Sequence, residues 1–597
     1  MAIEYPFGGN VSRRVLPLQD YAAIGDGRSV ALIGRDGSIG WWCVPNLDSE
    51  PLFDSLLDEK AGGVFTLQPK GPFASKHVYR KDSNVLETTF TTETGVVRVT
   101  DSLNSSLAGR LPWCELARRI EVLSGAVTLS LSLVCGTRDQ TASPWLQPNC
   151  NGTIFHVGPV LGMLRTSDNV HITEQGDRGI LGEAALARGE RALIAVVAGE
   201  DQPIGIPSTK DIDRRIDVSD TAWRAWAQGL HYDGPYADWV RRSALILKLL
   251  LFSPSGAIAA AATTSLPEKI GGKKNYDYRY AWVRDASYTL HAFLWLGQIP
   301  ESQAAVAWLL ARLGEAGAKV CFRMDGTPVP PVQEKGLPGY QKSYPVVTGN
   351  AAGTQNQHGV YGDIFEAVSL FVASGNILDQ KSAVILASLA DECADRWRQP
   401  DSGMWELEET RHYTMSKVSA WQALNRAVEL AEKGHISASC APRWIRERDR
   451  IATWVNENCW SESLSAYTFY PGTVRLDASL ALAVRFGFPD RERLAATCEA
   501  IHKKLGQGPL LYRYTGAEKE EGAFLACSFW LAEAYATLGR RQQADALIRE
   551  TLKVLPQDIG ILGEQIDVKT NDFLGNMPQG LSHLALIHAV MSLDSRR

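Results

Sequence analysis

Two loop segments each carry a glutamate in an unusual setting. SGMWELEETRHYTMSK, residues 402–417, puts Glu406 directly after Trp405, and GILGEQIDVKTNDFLGNMPQGLSH, residues 560–583, puts Glu564 after Gly563. Two carboxyls on opposite sides of a sugar can hydrolyse a glycosidic bond with inversion: one, protonated, donates to the departing oxygen, while the other activates water. An indole against Glu406 would disfavour the charged form and raise its pKa, as an acid working near neutrality requires. Spacing alone does not select this pair. Glu408, Glu409, Glu518, Glu520 and Glu521 are equally available, and two ordinary loop glutamates would look the same.

A third stretch, NYDYRYAWVRDASY at 275–288, sets Tyr276, Tyr278, Tyr280, Trp282 and Tyr288 around Arg279, Arg284, Asp277 and Asp285. Flat rings beside a forked cation and carboxylates suit a polyhydroxylated ring. Aromatic faces stack on its C–H surface, and Arg and Asp fix the hydroxyls by charge-assisted hydrogen bonds. The plainer reading is a helix start with interfacial tyrosines, Asp285 favouring the positive end of the helix.

The elements that must position these residues fall into two regions. Up to about residue 220, short alternating runs at 30–33, 85–91, 97–102, 118–122, 127–133 and 192–197 are separated by Gly, Asp, Asn and Ser turns, the pattern of an antiparallel β-sandwich. Within that region 39–58, with Trp41, Trp42, Asn46, Asp48 and Ser49, reads as a loop that either packs on a neighbour or lines a site. Apolar residues then recur at three- and four-residue spacing to the end, giving roughly twelve helices after Tyr236. They are expected near 237–252, 286–297, 301–314, 361–374, 380–397, 416–433, 441–456, 476–486, 490–505, 523–537, 540–554 and 578–593. Long loops at 253–285, 321–360, 398–415, 506–522 and 555–577 follow about every second helix, and loops of that length are usually functional. Paired helices with one set of long loops imply a closed double ring opening as a cup at one end. No repeat of fixed period supports a solenoid. The expected division is a β-sandwich over 1–219, a linker helix region over 220–235 and a helical barrel over 236–597.

Composition sets limits on partners. The 597 residues are 45% hydrophobic and 21% charged, with net charge −6 and no basic block, which points away from nucleic acid and anionic membrane. No run of about 18 apolar residues suggests a membrane span. The start MAIEYPFGGNVSRR lacks a basic segment followed by an apolar core, so no secretory leader is expected. Ten cysteines without a CxxC pair or metal-type spacing read as reduced thiols of a cytoplasmic protein, where the sequons at Asn104 and Asn151 carry no meaning. The 17 tryptophans exceed what a core of this size needs, and surplus aromatics often line a groove.

Several of these segments, in one order, resemble glycoside hydrolase family 15 in its bacterial and archaeal branch of glucoamylase- and trehalase-like enzymes. They are YAAIGDGRSVALIGRDGSIGWWCVPNLDS, AATTSLPEKIGGKKNYDYRYAWVRDAS, WELEETRHYTMSKVSAW, EEGAFLACSFWLAEA and GEQIDVKTNDFLGNMPQGLSHLALI, and the similarity runs through nearly the whole chain. The resemblance implies a β-sandwich ahead of an (α/α)6 catalytic barrel, with no metal or organic cofactor. It implies Glu406 as general acid and Glu564 as general base. It also implies Tyr278, Trp282, Arg284, Asp285 and Arg513 as the residues holding the non-reducing-end glucose, with Trp405, Trp41, Asn46 and Asp48 expected beside them.

The sequence departs from the family pattern at Gly40, where an Asp is usual, and at Asn46, Val347 and Glu408, where an Arg is common; Gly359 stands in place of an Asp. The reaction is therefore expected to be kept and the leaving-group side to have diverged. The expected activity is inverting, exo-acting hydrolysis of an α-glucoside, with trehalose the favoured substrate. The alternatives are a glucoamylase-type enzyme on malto- or isomalto-oligosaccharides, an inverting disaccharide phosphorylase, and a glycan sensor that has lost catalysis. A small carbohydrate is the expected partner, and a homo-oligomer is left open.

Overall fold

The computed structural model describes residues 15–106, 111–136, 145–150 and 152–594. The start MAIEYPFGGNVSRR and the sequon residue Asn151 lie outside the described residues. The other sequon residue, Asn104, is buried, its amide donating to Glu115 and to the Ile212 carbonyl.

The first third of the chain is an antiparallel β-sandwich whose two sheets share one strand. Arg118–Val122 and 127–133 were expected as separate strands, but they form a single 21-residue strand, Cys114–Val134. Its first half pairs with Gly95–Leu103 and Arg191–Glu200, and its second half with Val64–Pro69 and Gly179–Ala187. Strands that switch sheets at a bend are a recognised way to corner a sandwich. The bend lies at Leu123–Ala126, all exposed. It requires Gly125, at φ 67°, where a Cβ would fall 2.0 Å from the Thr94 carbonyl oxygen. An exposed Ser-Gly pair reads locally as a turn, which is why the sequence suggests a break.

Helix α1, Thr209–Gln228, is capped by Ser208, whose hydroxyl accepts from the Asp211 amide. It lies against the sandwich, where Arg119 bonds Asp213 and Asp217, and Glu115 takes Arg215. The change from strand to helix thus comes before residue 219, inside the segment read as β. Charges between Ile212 and Ile216 had hidden the apolar stripe.

The remaining helices run α2 (Ala237–Leu250), α3 (Val283–Trp295), α4 (Ile299–Ala316), α5 (Gly359–Ala373), α6 (Gln380–Arg396), α7 (Thr414–Glu432), α8 (Ala441–Asn458), α9 (Leu482–Phe486), α10 (Arg491–Leu505), α11 (Leu525–Thr537), α12 (Arg541–Lys553) and α13 (Gly580–Leu593). Each matches an expected helix, although the one near 476–486 begins as a 3-10 turn, Ala478–Ala481. Odd-numbered helices from α3 pack in sequence, and α13 packs back on α3, closing an inner ring; the even-numbered helices surround it. The sequence of each ring is readable afterwards. Inner α11 and α13 bury residues around their whole circumference, whereas outer α8 buries the stripe Trp444, Ile451 and Val455. This is a β-sandwich followed by an (α/α)6 barrel. Among the described residues no helix is long and apolar enough to cross a membrane.

Candidate active site

A cavity of about 560 Å³ opens at the end of the barrel where the inner helices begin. Trp282, Arg284 and Asp285 reach it from the short strand Ala281–Trp282 and the first turn of α3. Trp405 and Glu406 come from the turn before α7, Arg513 from the loop before α11, and Glu564 from the loop before α13. Around a ring ordered α3, α5, α7, α9, α11, α13, helices α7 and α13 stand opposite each other. Glu406 and Glu564 therefore enter one cavity from facing sides.

Glu406 is half-buried and sits at φ 60°, the left-handed region that non-glycine residues rarely adopt and that clusters at functional sites. Two turn bonds fix it there, Glu406 N–H to the Gly403 carbonyl at 3.2 Å and Leu407 N–H to the Ser402 carbonyl at 3.0 Å. The Trp282 indole N–H donates to Glu406 Oε1 at 2.7 Å. Burial raises the Glu406 pKa, while the Arg284 guanidinium and the Trp282 N–H oppose the rise. The indole touching Glu406 is thus Trp282, and its effect is the reverse of the one expected of Trp405. Trp405 lines the cavity but donates its own N–H to Asp477 at 2.9 Å and lies 5.4 Å from the Arg513 guanidinium carbon. Arg284 is tied to Asp285 at 3.0 Å and donates to the Met404 carbonyl at 3.0 Å, which links the α3 signature to the Glu406 turn.

Glu564 is fully buried, with one oxygen accepting from the Asn576 amide at 3.3 Å. Burial, and then repulsion from Glu268, push its pKa well above the ordinary carboxylate range; Arg513 and the Asn576 amide pull the other way. Arg513 is itself held by two carboxylates, its Nε donating to Glu521 at 2.5 Å and its Nη2 to Glu268 at 2.6 Å. Lys274 joins the group through Glu521 at 2.7 Å. Tyr276 and Tyr278 stack with centroids 6.1 Å apart, and Tyr278 meets Trp282 edge-on at 5.5 Å. The result is an aromatic wall leading from the half-exposed mouth down to Glu406.

Three expected residues stay outside. Trp41 is not in a loop: it lies in the strand Ser38–Cys43, fully buried, with its N–H on the Ala262 carbonyl at 2.8 Å and Arg279 over its ring. Asn46 is half-buried, its amide bonded to Ser49 Oγ at 3.3 Å. Asp48 pairs with Arg323 at 3.0 Å. None of the three lines the cavity. The β domain supports the site from behind instead: Arg279 bonds Asp277 at 2.7 Å and the Ser49 carbonyl at 2.7 Å. Trp density alone cannot distinguish a wall that faces sugar from one that faces a neighbouring domain. Of the departures, Gly40 has Ser55 Oγ 2.9 Å from where a Cβ would stand, so a side chain would have to displace it. Val347 and Glu408 line the cavity, Glu408 exposed at its mouth.

Sequence reading missed Glu268 and Asp363. Asp363, one helical turn beyond Gly359, lines a small second cavity with Arg284 and Trp282; burial pushes its pKa up to about 7 against the opposing pull of Arg284. The i, i+4 spacing from Gly359 was the available signal. Glu268 had none, because its partners lie at 513, 521 and 564. Among the described residues no group of three or more His, Cys, Asp or Glu is placed to hold a metal ion.

A family model described as Glycosyl hydrolases family 15 matches residues 234–591, and one described as Trehalase-like, N-terminal, matches 11–144. The trehalase of Mycobacterium tuberculosis is 33% identical over 96% of this chain and 89% of its own length. The trehalase of Thermoplasma acidophilum is 30% identical over 94% of this chain and 98% of its own. Among solved structures, a bacterial glucoamylase complexed with acarbose superposes with TM-score 0.71 at 13% identity, covering 97% of this chain and 94% of that one, a likeness of fold.

Proposed function

The chain belongs to glycosyl hydrolases family 15, inverting, exo-acting hydrolases of α-glucosides, and on that premise we propose that its substrate is α,α-trehalose. Glu406 protonates the departing oxygen, and Glu564 takes a proton from the water attacking C1. One glucosyl unit sits at the bottom of the cup against Tyr278, Trp282, Arg284, Asp285 and Arg513, all of which line it. The inner ring closes the sides of the cup, which suits entry of a chain end and exo action. Trp282 orients the donor carboxyl, and the α3 ion pair Arg284–Asp285 offers guanidinium and carboxylate groups to sugar hydroxyls.

The observation that carries this reading is the convergence of both glutamates, from opposite inner helices, on a single cavity with the aromatic and arginine groups. Trehalose is supported by the match of the N-terminal model described as trehalase-like and by the curated relatives over nearly the whole chain. The test is glucose release from trehalose, maltose, isomaltose and longer α-glucans, with the anomers followed by NMR from the first turnover. Trehalose should be consumed fastest and give α- and β-glucose in equal initial amounts, since the attacked unit inverts and the leaving unit keeps its configuration. Initial release of the α form alone would rule out inversion. Faster turnover of maltose or isomaltose would transfer the proposal to a glucoamylase-type substrate.

A further inference from the structure

The base side of the cavity contains more buried negative charge than it has cations to balance. Glu268, Glu521 and Glu564 are all buried, with exposures of 1%, 4% and 2%. The cations among them are Arg513, also buried, and Lys274. Glu520 also reaches Lys274, but it is exposed and solvated. Three carboxylates thus face two cations in a water-poor pocket, where an uncompensated buried charge is costly and the group takes up a proton instead.

The contacts exclude Glu521 as the carrier and leave Glu268 and Glu564 to share the proton. Glu521 accepts two bonds from Arg513 and one from Lys274, so it has most to gain from staying charged, and its pKa is lowered by these partners. Glu564 must be charged to act on water. Glu268 accepts one bond from Arg513 through Oε2, while its Oε1 is buried without a hydrogen-bond partner among the described residues. Glu521 repels Glu268, and Lys274 pulls on it more weakly than Arg513 does; the remaining groups facing it, the amide of Gln565 and the phenols of Tyr276 and Tyr278, are neutral. A protonated Glu268 still accepts from Arg513 through its carbonyl oxygen.

We propose that Glu268 is a positioning residue for the reaction: it shares a single proton with Glu564 and holds it in the working enzyme, so that Glu564 is free to act as base. This rests on the reading of Glu564 as base. It resolves a conflict in the site, since repulsion from a charged Glu268 is the main charge effect holding Glu564 in its protonated, inactive form. Burial pushes the Glu268 pKa up to about 7 and raises that of Glu564 well above the carboxylate range, so the two compete for one proton.

The test has two arms on the full-length protein. Infrared difference spectra at neutral pH should show a buried protonated carboxyl in the wild type that Glu268→Gln removes. Glu564→Gln should remove it too, because two carboxylates then balance two cations and Glu268 ionises. This arm needs no substrate, so it stands or falls separately from the enzymatic reading. The second arm is the pH profile on α-glucosyl fluoride, whose fluoride departs without a proton donor, so the rate follows the base side. The wild-type acid limb should rise in two steps, and Glu268→Gln should convert it to one step, lower by about one pH unit or more, as for two groups coupled that strongly. A carboxyl band untouched by Glu268→Gln would overturn the proposal, as would an acid limb left in place. If Glu268→Gln does not fold, Glu268→Asp carries both arms: a shifted carboxyl band and a moved acid limb are expected, and a band and limb both left in place would overturn the proposal.

Discussion

The two carboxyls at the centre of the cavity are placed by opposite means. Glu406 stands half-buried on a turn in the left-handed region, with one neutral donor, Trp282, on its oxygen. Glu564 is fully buried against a short strand, with a backbone amide on its oxygen and a cluster of charges beyond. Glu406, the proposed acid, is held by backbone geometry and tuned lightly. Glu564, the proposed base, is held by packing and tuned by electrostatics. Two groups of the same type acquire different roles from such a difference of surroundings.

Removing either carboxyl is the strongest way to break the comparison. Glu406→Gln and Glu564→Gln should each lower turnover of trehalose by a factor on the order of 10²–10⁴ or more. The two variants should separate on α-glucosyl fluoride: Glu406→Gln regains much of its rate there, and Glu564→Gln does not. Equal behaviour of the two variants on both substrates would mean that the roles have not been divided between them.

The packing that holds the base can be tested without touching it. Gly575 is at φ 74°, and a Cβ there would lie 2.2 Å from Glu564 Oε2 and 2.7 Å from Glu564 Cβ. Gly575→Ala should push the base off its position and cost roughly 10²-fold in kcat, the scale of a displacement of about 1 Å. Circular dichroism should show the fold kept. A variant with full turnover would show that the base is not held by this contact.

The tuning of the acid should give a smaller effect. The Trp282 N–H favours the charged form of Glu406, so Trp282→Phe raises the Glu406 pKa further. In its proposed role Glu406 acts protonated, and that form then persists to higher pH. The alkaline limb of kcat on trehalose should move up, and turnover on its plateau should fall by about tenfold or less as the carboxyl loses its tether. A limb that moves down would mean that another group sets it.

Much of this was legible in the sequence because it is local. Helices α2 to α13 declare themselves by apolar spacing, and the three motif-bearing loops could be placed before inner helices by their length alone. What was not legible depends on contacts between distant segments. Ser-Gly at the bend of Cys114–Val134 reads as a turn until its two halves find different sheets. Selecting Glu406 and Glu564 from among neighbouring loop glutamates took a resemblance, since nothing in 402–417 or 560–583 says which carboxyl points inward. Glu268 was invisible because residues 513, 521 and 565, far along the chain, supply most of its surroundings.

The same limit misplaced the aromatic and acidic residues of 39–58, and Asp48 provides the mildest test of the corrected arrangement. Its carboxylate receives the Arg323 side chain at 3.0 Å and the Met324 amide at 3.4 Å, tying the β domain to the loop before α5. Arg323 is 40% exposed, so water screens the pair and its contribution is about 1 kcal/mol or less. Asp48→Ala should therefore lower the denaturant midpoint slightly and leave kcat and KM on trehalose at wild-type values. If Asp48 touched sugar, losing a carboxylate that binds a hydroxyl would raise KM roughly tenfold or more, the worth of a charge-assisted hydrogen bond of about 1.5–3 kcal/mol. Measuring KM and the midpoint on one preparation separates a residue that joins two domains from one that holds the substrate.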